Sequence, residues 1–201
     1  MARNLIIVEG AQGVGKGTIT TALRSRLTCT NLMSLAGLSV NSSKHEVFSE
    51  RYNELLAVDG SHNLGWILDR SYITDLVYQR MGKKAYTYED FEDCREELNN
   101  LLAYSLAFKY NLTLVLLKAP EDDFARRLNR PNKATYENMA FAVESSVEQQ
   151  RIYEEEMDKI ANYVEDVTEG RMSFKYLKVD TTSNPEDAIS YIMEAINVKE
   201  K

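Results

Sequence analysis

Cysteine is almost missing from this chain, and what there is sits far apart: Cys29 and Cys94 are the only two among 201 residues. Two thiols without ligand-type spacing exclude a disulfide-stapled scaffold and a zinc ribbon, and they fit a reducing, cytoplasmic setting. Both read as ordinary buried thiols. Histidine is equally scarce, and His45 and His62 have no second His, Cys or Asp at ligand spacing, so no zinc site is expected. Long apolar runs are absent too. No stretch approaches 18 consecutive apolar residues and no apolar segment follows a basic start, which argues against membrane spanning and secretion. Positive charge is in deficit, with 24 Lys and Arg against 31 Asp and Glu, a formal net charge of −7. That balance excludes a general affinity for nucleic acid, whose binding draws on clustered cations. Internal repeats and low-complexity segments are also missing.

What is present is an alternation of strands and helices. Leu5–Glu9, Asn31–Leu35, Gly65–Leu68, Leu112–Leu117 and Phe174–Val179 read as strands, the fourth apolar at nearly every position. Helical spacing covers Lys16–Leu27, Lys44–Ala57, Tyr88–Tyr110, Glu121–Leu128 and Asn138–Tyr163. Asn184-Pro185-Glu186-Asp187 starts a last helix that runs to Ile196. Gly37–Ser43 and Asp59-Gly60-Ser61 are loop and turn. Strands joined through helices require right-handed crossovers and a parallel sheet covered on both faces, with ligands at the carboxyl ends of the strands. The expected class is therefore three-layer α/β, as a single domain over residues 1–201. A hydrophobic content of 44% suffices for its core.

One such carboxyl end is chemically marked. After Leu5-Ile6-Ile7-Val8 comes Gly10-Ala11-Gln12-Gly13-Val14-Gly15-Lys16-Gly17-Thr18. Gly10, Gly13 and Gly15 permit the tight backbone that turns successive N–H groups toward phosphate oxygens, and the following helix adds the positive end of its dipole. Lys16 supplies a point charge for the β- and γ-phosphates. The pattern G-x-x-x-x-G-K-[ST] is met except at its last position, where Gly17 stands and the hydroxyl arrives one residue later at Thr18. Gly13, Val14, Gly15, Lys16, Gly17 and Thr18 are thus the expected cradle of ATP phosphates.

Leu68-Asp69-Arg70-Ser71 closes the third strand on the same sheet edge. Asp69, with Thr18, is a candidate ligand of Mg²⁺, and Arg70 can grip an oxyanion with two parallel hydrogen bonds. A helix-capping ion pair is the plainer alternative. A third segment, Arg126-Arg127-Leu128-Asn129-Arg130-Pro131-Asn132-Lys133, concentrates basic charge in an acidic chain. Arg126 and Arg130, four apart on one helix face, are the candidates for neutralising the transferring phosphoryl group. At least one arginine of this segment is expected to pair only with Glu121, Asp122 or Asp123. Arg151 is a weaker candidate. Trp66 and Tyr86, Tyr88, Tyr104, Tyr110, Tyr153 and Tyr163 read as packing residues.

With these segments in view, the chain resembles the thymidylate kinase and deoxynucleoside kinase branch of the P-loop kinases. Val8-Glu9-Gly10 and the loop are similar to the thymidylate kinase opening. Asp69-Arg70 with Thr74, Tyr78 and Gln79 is similar to that family's D-R-x-x-x-S-x-x-A-Y-Q, and Val179-Asp180-Thr181-Thr182 is similar to its last strand and adenine-side loop. The resemblance implies a five-stranded parallel sheet in the order 2-3-1-4-5 with a short lid near 126–137. It also implies Mg-ATP as donor, Thr182 on the adenine side, and Asp69, Arg70, Thr74, Tyr78 and Gln79 on the acceptor side; Gln12 stands where the family carries an acidic residue or an arginine near the acceptor sugar, and its amide is a candidate hydroxyl contact. A homodimer through the long helices is a further implication.

Two departures bear on the acceptor. The family's R-E-P-G-G-T after the second strand is replaced by Ser34-Leu35-Ala36-Gly37-Leu38-Ser39, and the E-P that supplies a general base in deoxynucleoside kinases is absent. A monophosphate already carries an anionic oxygen and needs positioning more than a base, so the expectation is a deoxynucleoside monophosphate, dTMP foremost. A deoxynucleoside kinase is the alternative within the class. Outside it stands a non-catalytic P-loop nucleotide-binding module.

Overall fold

The computed structural model describes residues 3–34, 65–82, 95–128, 143–170, 173–182 and 184–197. The expected helix Lys44–Ala57, the loop and turn beside it, His45, His62, Cys94, Tyr86, Tyr88, Arg130 and the rest of the lid beyond Leu128 lie outside the described residues.

In chain order the elements are β1 (Arg3–Gly10), α1 (Lys16–Arg26), β2 (Thr30–Ser34), β3 (Gly65–Asp69) and α2 (Tyr72–Arg80). A helical segment from 95 follows, running through a π-helical stretch Leu101–Leu106 into a last turn Ala107–Lys109, together called α3. After it come β4 (Tyr110–Lys118), α4 (Glu121–Leu128), α5 (Val143–Thr168), β5 (Lys175–Asp180) and α6 (Pro185–Asn197). The five strands form one parallel sheet in the order β2-β3-β1-β4-β5, as expected.

β1 lies at the centre because it is apolar on both faces. Leu5 and Ile7 enter one core with Leu68 of β3 and Leu112, Leu114 and Leu116 of β4, under α2, α3 and α5. Ile6 and Val8 enter the other with Ile67, Val115 and Leu117, under α1, α4 and α6. Each fully buried Leu, Ile or Val contributes about 1.5–3 kcal/mol, so the layers are welded at this strand. Registers of Val8 with Asp69 and of Gly10 with Leu117 bring the ends of β1, β3 and β4 to one edge. α6 starts as read: the Asn184 side chain accepts from Glu186 N at 3.1 Å, with Pro185 as the first helical residue.

Three readings are corrected. Tyr110 is the first residue of β4, not the end of a helix: its backbone is extended, and it pairs with Arg3. Cys29 is exposed, in the turn before β2 at φ 52. Tyr104 does not pack: within the π-helical stretch it is 59% exposed, while Leu102 and Leu106 of the same stretch fill the core. Tyr153 is buried as read, and Trp66 is half-buried against the core.

Candidate active site

The glycine loop spans the end of β1 and the start of α1. Gly10, Gly13 and Gly15 have φ of 149, 84 and 103. A Cβ on Gly10 would stand 2.7 Å from the Leu117 carbonyl oxygen, so only glycine fits there. Gly15 caps α1 in the left-handed conformation, and its carbonyl takes the N–H of Thr18 at 3.1 Å and of Ile19 at 3.2 Å. Gly17 is different: a Cβ there meets nothing within 4 Å, and Thr18 is exposed beside it. Lys16 folds back over the loop, donating to the carbonyls of Gly10 and, at 2.8 Å, of Ala11. Burial and then the Arg70 charge lower its ammonium from 10.5 to about 7, against the opposing pull of Glu9 and Asp69.

Across the edge, β3 ends in Asp69 and the chain turns into α2. Arg70 makes the turn with φ 78, a left-handed backbone on a non-glycine residue, and its N–H binds Val8 O at 3.1 Å. Against burial, Tyr153, Tyr78 and Glu9 favour its charged guanidinium. Glu9, fully buried, lies between the loop and this turn. Its Oε1 accepts Ser71 N and Ser71 Oγ at 2.6 Å each, and its Oε2 accepts Thr74 Oγ1 at 2.8 Å. Burial pushes this carboxyl up, while Ser71, Thr74, Arg70 and Lys16 favour its charged form. Thr74 Oγ1 also meets Tyr153 of α5 at 2.8 Å, so its hydroxyl is taken up within the protein. Gln12 offers its N–H to Gln149 Oε1 at 3.0 Å. Gln79, near the end of α2, is half-buried.

Asp69 supports a metal reading on geometry. Its Oδ1 is buried without a hydrogen-bond partner among the described residues, at the edge where the loop and Thr18 lie. A hard, oxygen-seeking cation such as Mg²⁺ suits that orphaned carboxylate oxygen.

The arginines of α4 are placed otherwise than their spacing suggested. Arg126 has its side chain 65% exposed and pairs with Asp123 at 2.7 Å, the ion-pair role expected of one arginine in this segment. Arg127, 15% exposed, reaches the loop: Nη1 donates to Val14 O at 2.8 Å and Thr181 Oγ1 at 2.9 Å, Nη2 to Asp123 at 2.9 Å and to the Thr181 carbonyl. Thr181 Oγ1 itself donates to Val14 O at 2.9 Å, whereas Thr182 is exposed and bonds Asp180. Arg151 pairs with Glu148 and Glu155 on the outer face of α5.

Glu9, Arg127, Gln149, Tyr153 and Thr181 are thus polar partners of the site that sequence reading assigned no role there. Arg127 had a signal: Phe124, Arg127 and Leu128 share a helical face, and Phe124 and Leu128 both approach Gly13. Glu9 had one also, as a lone carboxylate ending an apolar strand. Gln149 had none, being one of two adjacent glutamines on a long polar helix.

No protein-family model and no curated protein matches the sequence. Solved structures match over nearly the whole chain. The YorR protein from Bacillus subtilis, in complex with phosphorylated GDP, superposes with a TM-score of 0.62 at 18% identity, covering 97% of this chain and 96% of its own. Deoxyadenosine kinase from M. mycoides with bound dCTP gives 0.56 at 17% identity, over 97% and 100%. Thymidylate kinase from Candida albicans gives 0.55 at 17% identity, over 97% and 91%. The chain has the fold of the P-loop nucleotide kinases.

Proposed function

We propose that this protein transfers the γ-phosphoryl group of Mg-ATP to a deoxynucleoside monophosphate, with dTMP the first acceptor to test. The observation that carries the reading is the pair Lys16 and Arg70. Lys16, buried at the start of α1, and Arg70, half-buried just after β3, are brought to one edge, where the Arg70 charge lowers the Lys16 ammonium against the pull of Glu9 and Asp69. Like charges are held together at a cost that a polyanion between them removes, and ATP with a phosphorylated acceptor supplies one. A nucleotide in the YorR complex and nucleotide or nucleoside kinases among the other fold relatives support the same class.

In this reading the backbone of Gly13 to Thr18 and the Lys16 side chain bind the donor phosphates, Lys16 exchanging two carbonyl oxygens for phosphate oxygens. Arg70 holds the acceptor phosphate, and Tyr78 and Gln79 follow it on the acceptor side. Asp69 and Thr18 would hold Mg²⁺, which when bound neutralises phosphate charge. Arg126 and Arg130 remain the candidates for neutralising the transferring phosphoryl group. A deoxynucleoside acceptor is the second reading, favoured by Asp69 Oδ1, which without a partner is able to receive the proton of a sugar hydroxyl.

The test is ADP release from ATP and Mg²⁺ with a panel of deoxynucleosides and their monophosphates. Turnover with monophosphates alone is expected, and turnover with nucleosides alone reverses the assignment. Arg70→Lys keeps charge but loses the two-pronged grip, and should raise the acceptor KM about tenfold with the ATP KM nearly unchanged. A rise confined to the ATP KM would move Arg70 to the donor side.

A further inference from the structure

The monophosphate reading makes Arg70 the acceptor-binding group, and the next inference rests on it. Arg70 cannot hold its position unaided. A left-handed backbone at a side-chain-bearing residue is strained and persists only where its surroundings over-determine it. Here the surroundings are Val8, which takes the Arg70 N–H, and Glu9, which takes the Ser71 N–H and the hydroxyls of Ser71 and Thr74.

The hydrogen-bond directions follow from valence. An ionised carboxylate only accepts, so Ser71 N–H, Ser71 Oγ–H and Thr74 Oγ1–H all donate to Glu9. Ser71 Oγ in turn accepts from Ile73 N at 3.2 Å and caps α2. Thr74 has one proton, given to Glu9, so the 2.8 Å contact with Tyr153 is a bond donated by the phenol. Burial and then the Glu9 charge hold that phenol well above the usual tyrosine range, so it keeps its proton. A directed chain runs from α5 through α2 to the last side chain of β1 before the loop. Burial is the largest influence and pushes the Glu9 carboxyl up, while the Ser71 and Thr74 hydroxyls and the two flanking cations, Arg70 and Lys16, favour the anion.

We propose that Glu9 is the positioning residue for acceptor binding: by clamping Ser71 and Thr74 it fixes the first turn of α2 and, as counter-charge, holds Arg70 ready for the acceptor phosphate. A buried carboxylate used only for stability would have no reason to affect one substrate more than the other. Glu9 should, because its bonds go to the acceptor-side turn while the donor loop is shaped by glycine backbone and by Arg127 and Thr181.

Glu9→Gln keeps the shape and two acceptor positions but removes the charge and sets an N–H₂ against the Thr74 hydroxyl. The experiment titrates wild type and Glu9→Gln calorimetrically with ATP and with dTMP, then measures both KM values with the monophosphate that the panel identifies. Expected is an acceptor Kd and KM raised about tenfold, with ATP values within about twofold, the size of one lost charge-assisted interaction. Ser71→Ala, which removes one donor to the same oxygen, should raise the acceptor KM by about threefold; it serves as the measurement if Glu9→Gln does not fold. If wild type binds the acceptor and both variants match it, or if ATP binding falls equally, the inference is overturned while the kinase reading stands. If wild type binds ATP but no monophosphate in the panel, the monophosphate reading fails and takes this inference with it.

Discussion

Replacing Arg127 by alanine should destabilise the protein far more than replacing its neighbour Arg126, although sequence spacing points to Arg126. Arg127 loses bonds to Val14 O, Thr181 Oγ1, the Thr181 carbonyl and Asp123. Val14 O keeps the Thr181 hydroxyl, and Asp123 keeps Arg126, so neither is orphaned. At about 1 kcal/mol net per bond, with some of the loss softened by these remaining partners, the expected cost is ~2–3 kcal/mol. Arg126 gives up one largely exposed pair with Asp123, worth about 0.5 kcal/mol or less. For a chain of this length 1 kcal/mol moves the midpoint by about 2–4 °C, so Tm should fall by ~4–12 °C for Arg127→Ala and by less than about 2 °C for Arg126→Ala. Thermal unfolding followed by circular dichroism in one buffer decides between them. Because the lost bonds tie the loop to the end of β5, Arg127→Ala should also weaken ATP binding. Midpoints within about 2 °C of each other would refute the claim that Arg127 bolts the loop.

Lys16→Met should lower turnover by about a hundredfold or more yet raise Tm at pH 7. The folded-state value near 7 lies below the unfolded 10.5, so between them the unfolded chain binds the extra proton and wild-type stability climbs with pH; the advantage of Lys16→Met should be a few kcal/mol at pH 7 and shrink toward pH 10 in a Tm series. An advantage independent of pH would count against the buried, weakened ammonium. Gly17→Ser should fold normally with ATP affinity retained, because a Cβ there meets nothing. Gly10→Ala, with its Cβ driven onto the Leu117 carbonyl, should lose Tm by several degrees, and equal midpoints for the two variants would overturn the steric argument.

How much of this was readable depended on whether the constraint was local. β1 and β4 were legible because a strand buried on both faces must be apolar throughout, and the loop was legible because phosphate-binding backbone needs glycine at positions visible in sequence. The sheet order came from family resemblance, and it held. Spacing put Arg126 and Arg130 on one helix face but could not show that Arg127 ties α4 to the loop, because it gives helix faces and not which face turns inward. Phe124 and Leu128, packed against Gly13, make that choice and carry Arg127 with them. Thr74 and Thr182 were motif matches whose hydroxyls turn out to serve Glu9 and Asp180, while the adjoining Thr181 reaches the loop. Adjacent residues point to opposite sides of a strand end, and only the register of β5 on β4 decides between them.

The sheet order explains why the glycine loop and the Arg70 turn meet at one point of the chain. β1 lies between β3 and β4, so the residue that ends its apolar run faces the start of α2 while the next residues turn into the glycine loop. Glu9 takes the acceptor-side turn, and Gly10, one residue on, is pressed against β4 and receives the Lys16 ammonium. The Arg70 charge therefore acts on Lys16 directly, with Glu9 and Asp69 opposing it. Phosphates entering between the two cations would relieve their repulsion and the depressed Lys16 charge together. Binding of either nucleotide should then favour the other, a coupling that arises from shared charge and requires no movement of the sheet.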